Sequence, residues 1–361
     1  MIKKNILIAT GGTGGHIFPA CSLANYLALK DINIILTTDK RGAKYLKGQN
    51  FYLKELPLSP LKKDNILKFI FSLIIITFSI IKSFIYLLFN RPSIIFGMGG
   101  YSSFPICIAA IILRIKFVIY ENNLIIGKAN KYLLPFTNKI FVSYRELEGI
   151  PEKYNDKVVV IGNLIREEIF KSASLGNLSY DSLKVLVLGG SQGASIFAEE
   201  LPFIFKKLKN NKKPIQIYQQ CRKEQSEKLS EFYKKASIEH EIFHFSNKIT
   251  DYYSKVNLVI TRSGASVLGE LINLKIPFIS IPLPTSADNH QYKNAEFYLK
   301  KGYGYLLEEK DIKNKLYELI NSILKNDSTI KNILISQKEY SDKDTFRNLF
   351  ITLENILNEK N

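Results

Sequence analysis

Two glycine-rich runs and one histidine carry most of the chemistry this chain can offer. Gly11-Gly12-Thr13-Gly14-Gly15-His16 follows the apolar run over 6–10, and Gly189-Gly190-Ser191-Gln192-Gly193-Ala194 follows the run over 185–188. A strand, a glycine turn and a helix start leave backbone N–H groups and the positive helix end pointing outward, an arrangement suited to phosphate. Superposing Gly11 on Gly189 lays Gly12 on Gly190, Thr13 on Ser191 and Gly15 on Gly193, while His16 falls on Ala194. The turn itself therefore does not require a histidine. Histidine exchanges protons near neutral pH, so His16 is the candidate general base. Its structural alternative is a helix cap or a packing residue.

The elements that must position these residues alternate along the chain. Short β-branched runs predict strands over 6–10, 32–37, 93–96, 117–120, 139–142 and 157–161. A second set is predicted over 184–188, 215–218, 241–245, 257–261 and 278–281. Helical stretches lie between them, among them 18–29 and 106–113. This alternation predicts parallel sheets covered on both faces. The 361 residues suggest two domains, with a junction near Gly162-Asn163 and a terminal helix from about 341. Four loops would gather at the carboxyl edges of two sheets, where open α/β sheets bind ligands: residues 11–16, 97–101, 189–194 and 262–266. Glu270, one turn into the helix after the fourth loop, suits ribose hydroxyls or, alternatively, the helix dipole.

Other chemistry is argued against. There is no GxxxxGK[ST] loop and no GxGxxG after the first strand. Asp342-Lys343-Asp344 lies in a polar stretch away from any strand end and reads as solvated, so a metal-held pyrophosphate is not supported. A leaving diphosphate would rely on backbone N–H groups, a helix end and Arg166. Cys21, Cys107 and Cys221 form no CxxC pair, which fits a reducing compartment and neither disulfides nor zinc. The formal charge of +17 reflects an acidic partner or an overall lysine bias. No RNA-binding motif accompanies it, so no nucleic-acid role is expected. The first apolar run is too short for a signal peptide.

Residues 66–91 stand apart. From Phe69 to Ile81 only Ser72, Thr77 and Ser79 are polar, and Lys68 and Lys82 flank the run. One reading is a core helix covered on both sides. The other is a helix dipping into a membrane interface, with Lys62, Lys63, Lys68, Lys82 and Arg91 at anionic head groups and Arg114 and Lys116 joining them.

Several motifs together resemble the MurG family of peptidoglycan N-acetylglucosaminyltransferases. They are Gly11 to Pro19, Gly97-Met98-Gly99-Gly100-Tyr101, Gly162-Asn163 with Arg166, Gly189 to Ala194, Arg262-Ser263-Gly264-Ala265, and Asp288 to Tyr292 with Asn294-Ala295. They occur in family order across nearly the whole chain. The resemblance implies the α/β class and a GT-B fold, two Rossmann-like domains facing a cleft. Residues 1–162 would form the acceptor and membrane-facing domain and 163–340 the UDP-GlcNAc domain, with the helix of about 341–361 packing back on the first.

It also implies inverting, metal-independent transfer of GlcNAc from UDP-GlcNAc to the C4 hydroxyl of MurNAc in undecaprenyl-linked lipid I, giving lipid II. No cofactor is implied. The location would be peripheral, at the cytoplasmic face of the inner membrane, with 66–91 on the anionic surface and cell-wall synthesis proteins as partners. By the same resemblance His16 is the base, and Thr13, Gly14 and Gly15 lie at sugar and diphosphate. Asn123 and Gln291 contact the sugar, Arg166 and Ser191 the donor phosphates, and Ser246 the uracil through its backbone. Ala265, Ser266 and the residues on to Glu270 lie under diphosphate and ribose, with Glu270 on the ribose.

The chain departs from the pattern at Tyr120, where the family has histidine, at Leu124 for a glycine, at His290 for a glutamine, and at Ser266-Val267 for Leu-Thr. Two other readings stay open: a related transferase with another lipid acceptor, and a non-catalytic membrane-attached nucleotide-sugar-binding subunit.

Overall fold

The computed structural model describes residues 4–46, 51–58, 65–172, 182–190, 193–210, 214–246, 248–325 and 327–359. The chain divides into two compact units, Met1–Arg166 with Asp342–Asn361, and Glu167–Ser341.

The first unit is built on a parallel sheet of β1 (Asn5–Ala9), β2 (Asn33–Thr38), β3 (Tyr52–Glu55), β4 (Ile94–Gly97), β5 (Phe117–Glu121), β6 (Ile140–Val142) and β7 (Val158–Val160). Its order is β3-β2-β1-β4-β5-β6-β7. Alternate residues of β1 serve opposite faces, as the two-residue period of a strand requires. Ile6 and Ile8 join a core with Phe96, Phe141 and Leu23, while Leu7 and Ala9 join a second core with Ile95, Ile106 and Ala109. Both faces are covered, which explains why the strand sequence is continuously apolar. The Thr345–Asn358 helix adds Leu349, Leu353 and Ile356 to the first of these cores.

The second unit repeats the plan with β8 (Leu183–Leu188), β9 (Ile215–Gln220), β10 (Glu239–Phe243), β11 (Leu258–Thr261), β12 (Phe278–Ser280) and β13 (Tyr305–Leu306). The order β10-β9-β8-β11-β12-β13 reproduces that of the first unit.

Four features differ from the sequence reading. Strands β3 and β13 were not expected, because both are short edge strands without an apolar run. The helices after β1 and β4 begin at Gly14 and Gly100, earlier than 18 and 106, since helix geometry starts inside the glycine runs. Asp342 is not solvated. It is 3% exposed and accepts the backbone N–H and the side-chain amide of Asn163, both at 3.0 Å. Gly162 makes this approach, with φ of +97° and no room for a Cβ beside Asp342 and Thr345. Finally, two of the proposed head-group cations are engaged elsewhere. Lys116 donates to the carbonyls of Ile356 and Glu359 at the end of the last helix, and Arg91 donates to those of Leu113 and Arg114.

The Ile66–Phe89 helix is inverted in polarity. Its buried residues are Ser72, Ser79, Ser83, Tyr86 and Leu87. Ser79 donates to the Ile75 and Pro57 carbonyls and Ser72 to that of Lys68, so these two hydroxyls are satisfied on the inward face. Phe71 (63% exposed), Ile74 (60%), Phe78, Ile81, Ile85 and Leu88 face outward. The doubly covered core helix is therefore overturned. At 24 residues the helix is long and apolar enough to cross a membrane. Lys68 and Lys82 are exposed on it, and Lys62 and Lys63 lie outside the described residues.

Candidate active site

In each unit the glycine loop follows the central strand, and the second expected loop follows the strand beside it. Residues 11–16 leave β1 and 97–101 leave β4, which pair directly. Residues 189–194 leave β8 and 262–266 leave β11, which also pair. Both pairs stand where the strand order reverses, the ligand-binding position of doubly wound sheets.

In the first unit Gly12 takes φ of +79°, and Thr13 is the N-cap of the Gly14–Ala28 helix without using its side chain as a cap. His16 lies in the first helical turn. Its imidazole rests on the neighbouring loop. A Cβ on Gly100 would lie 3.4 Å from His16 Nε2, and one on Gly99 would lie 3.7 Å from Cε1. Gly99 and Gly100 have φ of +83° and +71°, so that loop needs glycine both for its backbone and for the ring. Gly14 is closed in by Phe18, and the Arg166 guanidinium sits 5.2 Å from the centroid of the Phe18 ring. The Gly15 carbonyl accepts Asn122 Nδ2 at 3.4 Å.

Two buried carboxylates that the sequence reading did not single out organise this surface. Glu121, at the end of β5, is 4% exposed. Its Oε1 accepts the backbone N–H of Asn123 (3.2 Å) and Asn123 Nδ2 (2.8 Å), and its Oε2 accepts Gly127 N–H (2.9 Å) and Asn130 Nδ2 (3.0 Å). Four N–H donors thus stand in for solvent and fix Asn123. Asp39 follows β2 and accepts the N–H groups of Gly12 and Gly42 and the hydroxyl of Tyr101. Burial opposes its charge. The Tyr101 hydrogen bond, the two backbone donors and Arg41 outweigh burial and hold the carboxyl below its ordinary range. Burial and the Asp39 bond push Tyr101 up to about 12, so it stays a donor. Tyr120, at the histidine departure, is buried and its hydroxyl takes part in bonds with Ser143 and Leu164 N–H.

In the second unit Gly189 has no room for a Cβ against the Ala194 backbone, and Gly190 and Gly193 have φ of +78° and +65°. Ser191 and Gln192 lie outside the described residues. The Ala265–Leu274 helix begins after Gly264 without a side-chain cap. Its open end is an anion position, with Ala265 buried and Ser266 half-buried. Glu270 is buried in the second turn and accepts the Tyr253 hydroxyl at 2.9 Å. That placement is beyond the first turn, where a helix-dipole partner would sit. Arg262 donates to the Ile281 and Pro282 carbonyls and pairs with Glu309, so it braces the loop. Gln291 Oε1 accepts Leu283 N–H at 2.9 Å, which turns its NH2 group away from that contact. Ser246, past β10, accepts Lys248 N–H. Among the described residues no group of three or more His, Cys, Asp or Glu could hold a metal ion.

The glycosyltransferase family 28 N-terminal domain matches residues 6–142, and the C-terminal domain of the same family matches residues 184–348. A UDP-N-acetylglucosamine–N-acetylmuramyl-(pentapeptide) pyrophosphoryl-undecaprenol N-acetylglucosamine transferase of Pelagibacter ubique is 34% identical, covering 99% of this chain and 100% of its own. The Rickettsia felis protein of the same name is 37% identical, covering 93% and 96%. This chain belongs to glycosyltransferase family 28. The crystal structure of Acinetobacter baumannii MurG has a TM-score of 0.78 at 21% identity, covering 98% of this chain and 99% of that one. The family 28 chain therefore has the expected GT-B architecture, with two Rossmann-like units of matching strand order. In family terms, the matched N-terminal region carries His16 and Asn123, and the matched C-terminal region carries Ser246, Ala265, Glu270 and Gln291.

Proposed function

We propose that this family 28 chain transfers GlcNAc from UDP-GlcNAc to the C4 hydroxyl of MurNAc in undecaprenyl-pyrophosphoryl-MurNAc-pentapeptide, with inversion. The observations that carry the reading are a histidine against a glycine loop within the first unit and an uncapped helix start with a buried carboxylate within the second. His16 takes the acceptor proton as the hydroxyl attacks the donor's anomeric carbon. The glycosidic C–O bond to UDP breaks as the new C–O bond forms, and the electron pair leaves on the diphosphate. Backbone N–H groups of the second glycine loop and of the Ala265 helix start, with Arg166 and Ser191, neutralise that charge. Glu270, steadied by Tyr253, takes the ribose hydroxyls, Ser246 meets the uracil through its backbone, and Asn123 and Gln291 meet the sugar. Thr13, Gly14 and Gly15 face sugar and diphosphate.

The enzyme works at the cytoplasmic face of the membrane, held by the apolar face of the Ile66–Phe89 helix, with Lys68 and Lys82 at anionic lipid. Phe71, Ile74 and Phe78, all exposed on that face, are suited to test this. Replacing these three by serine is expected to abolish sedimentation with anionic vesicles while leaving the melting temperature within a few degrees. Unchanged sedimentation removes the helix from the membrane contact.

The acceptor is tested by supplying purified enzyme and UDP-GlcNAc with lipid I or with diacylglycerol, in EDTA. Product is expected only with lipid I and undiminished by the chelator. Transfer to diacylglycerol alone supports the related-transferase reading, and no transfer to either supports a binding subunit.

A further inference from the structure

One buried carboxylate has no task in the mechanism above. Asp39 is 2% exposed. Its Oδ1 accepts the N–H groups of Gly12 at 3.0 Å and Gly42 at 2.8 Å, and its Oδ2 accepts the Tyr101 hydroxyl. Arg41 Nε lies 3.5 Å from Oδ2, and the same guanidinium donates to the Tyr101 hydroxyl. Gly12 belongs to the loop that carries His16. Tyr101 adjoins Gly99 and Gly100, which face the imidazole. The two loops are fastened to opposite oxygens of a single carboxylate. Gly11 closes the arrangement, since a Cβ there would lie 3.0 Å from Asp39 Oδ1 and 2.7 Å from Ser102 Cβ.

An acid past the second strand binds ribose in dinucleotide-binding Rossmann units. Here protein donors fill both oxygens and the group is closed to solvent. The carboxylate serves the loops rather than a ligand.

We propose that Asp39 is a positioning residue for His16, holding the glycine turn beneath the histidine in register with the loop against which its imidazole rests. This rests on His16 being the base of the transfer. Asparagine at 39 can still accept from Gly12 and Gly42. It turns an NH2 toward Tyr101 and Arg41, so the Tyr101 O–H loses its charged acceptor and Arg41 its counter-charge. The Tyr101 loop is then held less firmly to the Gly12 turn. A misplacement near 1 Å can cost about 100-fold in rate.

The test compares the wild type, Asp39→Asn, Tyr101→Phe and the double variant as full-length proteins. Turnover and donor KM are measured with UDP-GlcNAc and lipid I, and the chain's four histidines are followed by 15N NMR. For Asp39→Asn, turnover is expected to fall about 10- to 100-fold, with donor KM within about twofold. The double variant is expected to be no slower than Asp39→Asn within about twofold, because the two residues act as one unit. The His16 signal should shift, while those of His240, His244 and His290, all in the second unit, stay in place.

Turnover within about twofold of wild type overturns the proposal, as does lost turnover with an unmoved His16 signal. If Asp39→Asn does not fold, Tyr101→Phe decides alone: a shifted His16 signal with turnover down at least about threefold supports the proposal, and either result missing overturns it. If the wild type transfers nothing, the functional reading fails, and the His16 signal still decides whether Asp39 sets that ring.

Discussion

The two glycine loops share a backbone turn and differ in its surroundings. Gly12 and its counterpart Gly190 have φ of +79° and +78°. Beyond that point they diverge. The first helix starts at Gly14, so His16 lies in its first turn, whereas the second starts at Ser195, so the matching Ala194 is only its N-cap. The neighbours past the second strand of each sheet differ in sign. In the first unit buried Asp39 takes the Gly12 N–H, a donor that a phosphate loop would offer to its ligand. In the second unit Arg222 crowds Gly193, its Cγ 3.0 Å from where a Cβ would sit. The residue past the neighbouring strand thus gives the same turn a buried acid in one unit and a guanidinium side chain in the other.

The largest effect that could break this contrast is at the histidine. His16→Ala is expected to lower turnover at least about 100-fold, as loss of a general base does, with calorimetric affinity for UDP-GlcNAc nearly unchanged. A matching loss of donor affinity would assign His16 itself to donor binding and erase the distinction.

Glycine substitutions sharpen it. Gly189→Ala drives a methyl into the Ala194 backbone and is expected to weaken donor binding at least about tenfold. Gly99→Ala places a Cβ 3.2 Å from the Tyr120 carbonyl at φ of +83°, and should lower turnover while sparing donor affinity. Equal effects of both on both quantities would contradict separate tasks.

A smaller effect is expected at the ribose position. Glu270→Gln should raise the UDP-GlcNAc dissociation constant about tenfold, the worth of a charged hydrogen bond, and Tyr253→Phe should raise it less. Unchanged affinity in Glu270→Gln would free that carboxylate from the donor.

Much of the fold was legible because parallel strands covered on both faces must be continuously apolar, and glycine runs mark the turns that follow them. The edge strands β3 and β13 escaped because β3 ends in Lys54 and Glu55 and β13 is only two residues long. At the site, the glycine loops, His16 and Glu270 could be found from local order. Asp39, Glu121 and Tyr253 could not, since each is a single residue whose role arises from partners elsewhere in the chain, Tyr101 for Asp39 and Asn130 for Glu121. The only hint for Asp39 was its place past the second strand, where an acid is expected to meet ribose. Asp342 misled for the same reason: its polar neighbours suggested solvent, while its partner Asn163 is distant in sequence. The Ile66–Phe89 helix was ambiguous because composition does not say which face turns inward, and the serines do.

The central claim is most directly tested by single-turnover transfer from UDP-GlcNAc to lipid I, with wild type and His16→Ala both saturated with donor. The account predicts that the wild type yields an inverted disaccharide-lipid while His16→Ala, fully occupied, forms it at least about 100-fold more slowly. Equal rates from the two occupied enzymes would contradict it.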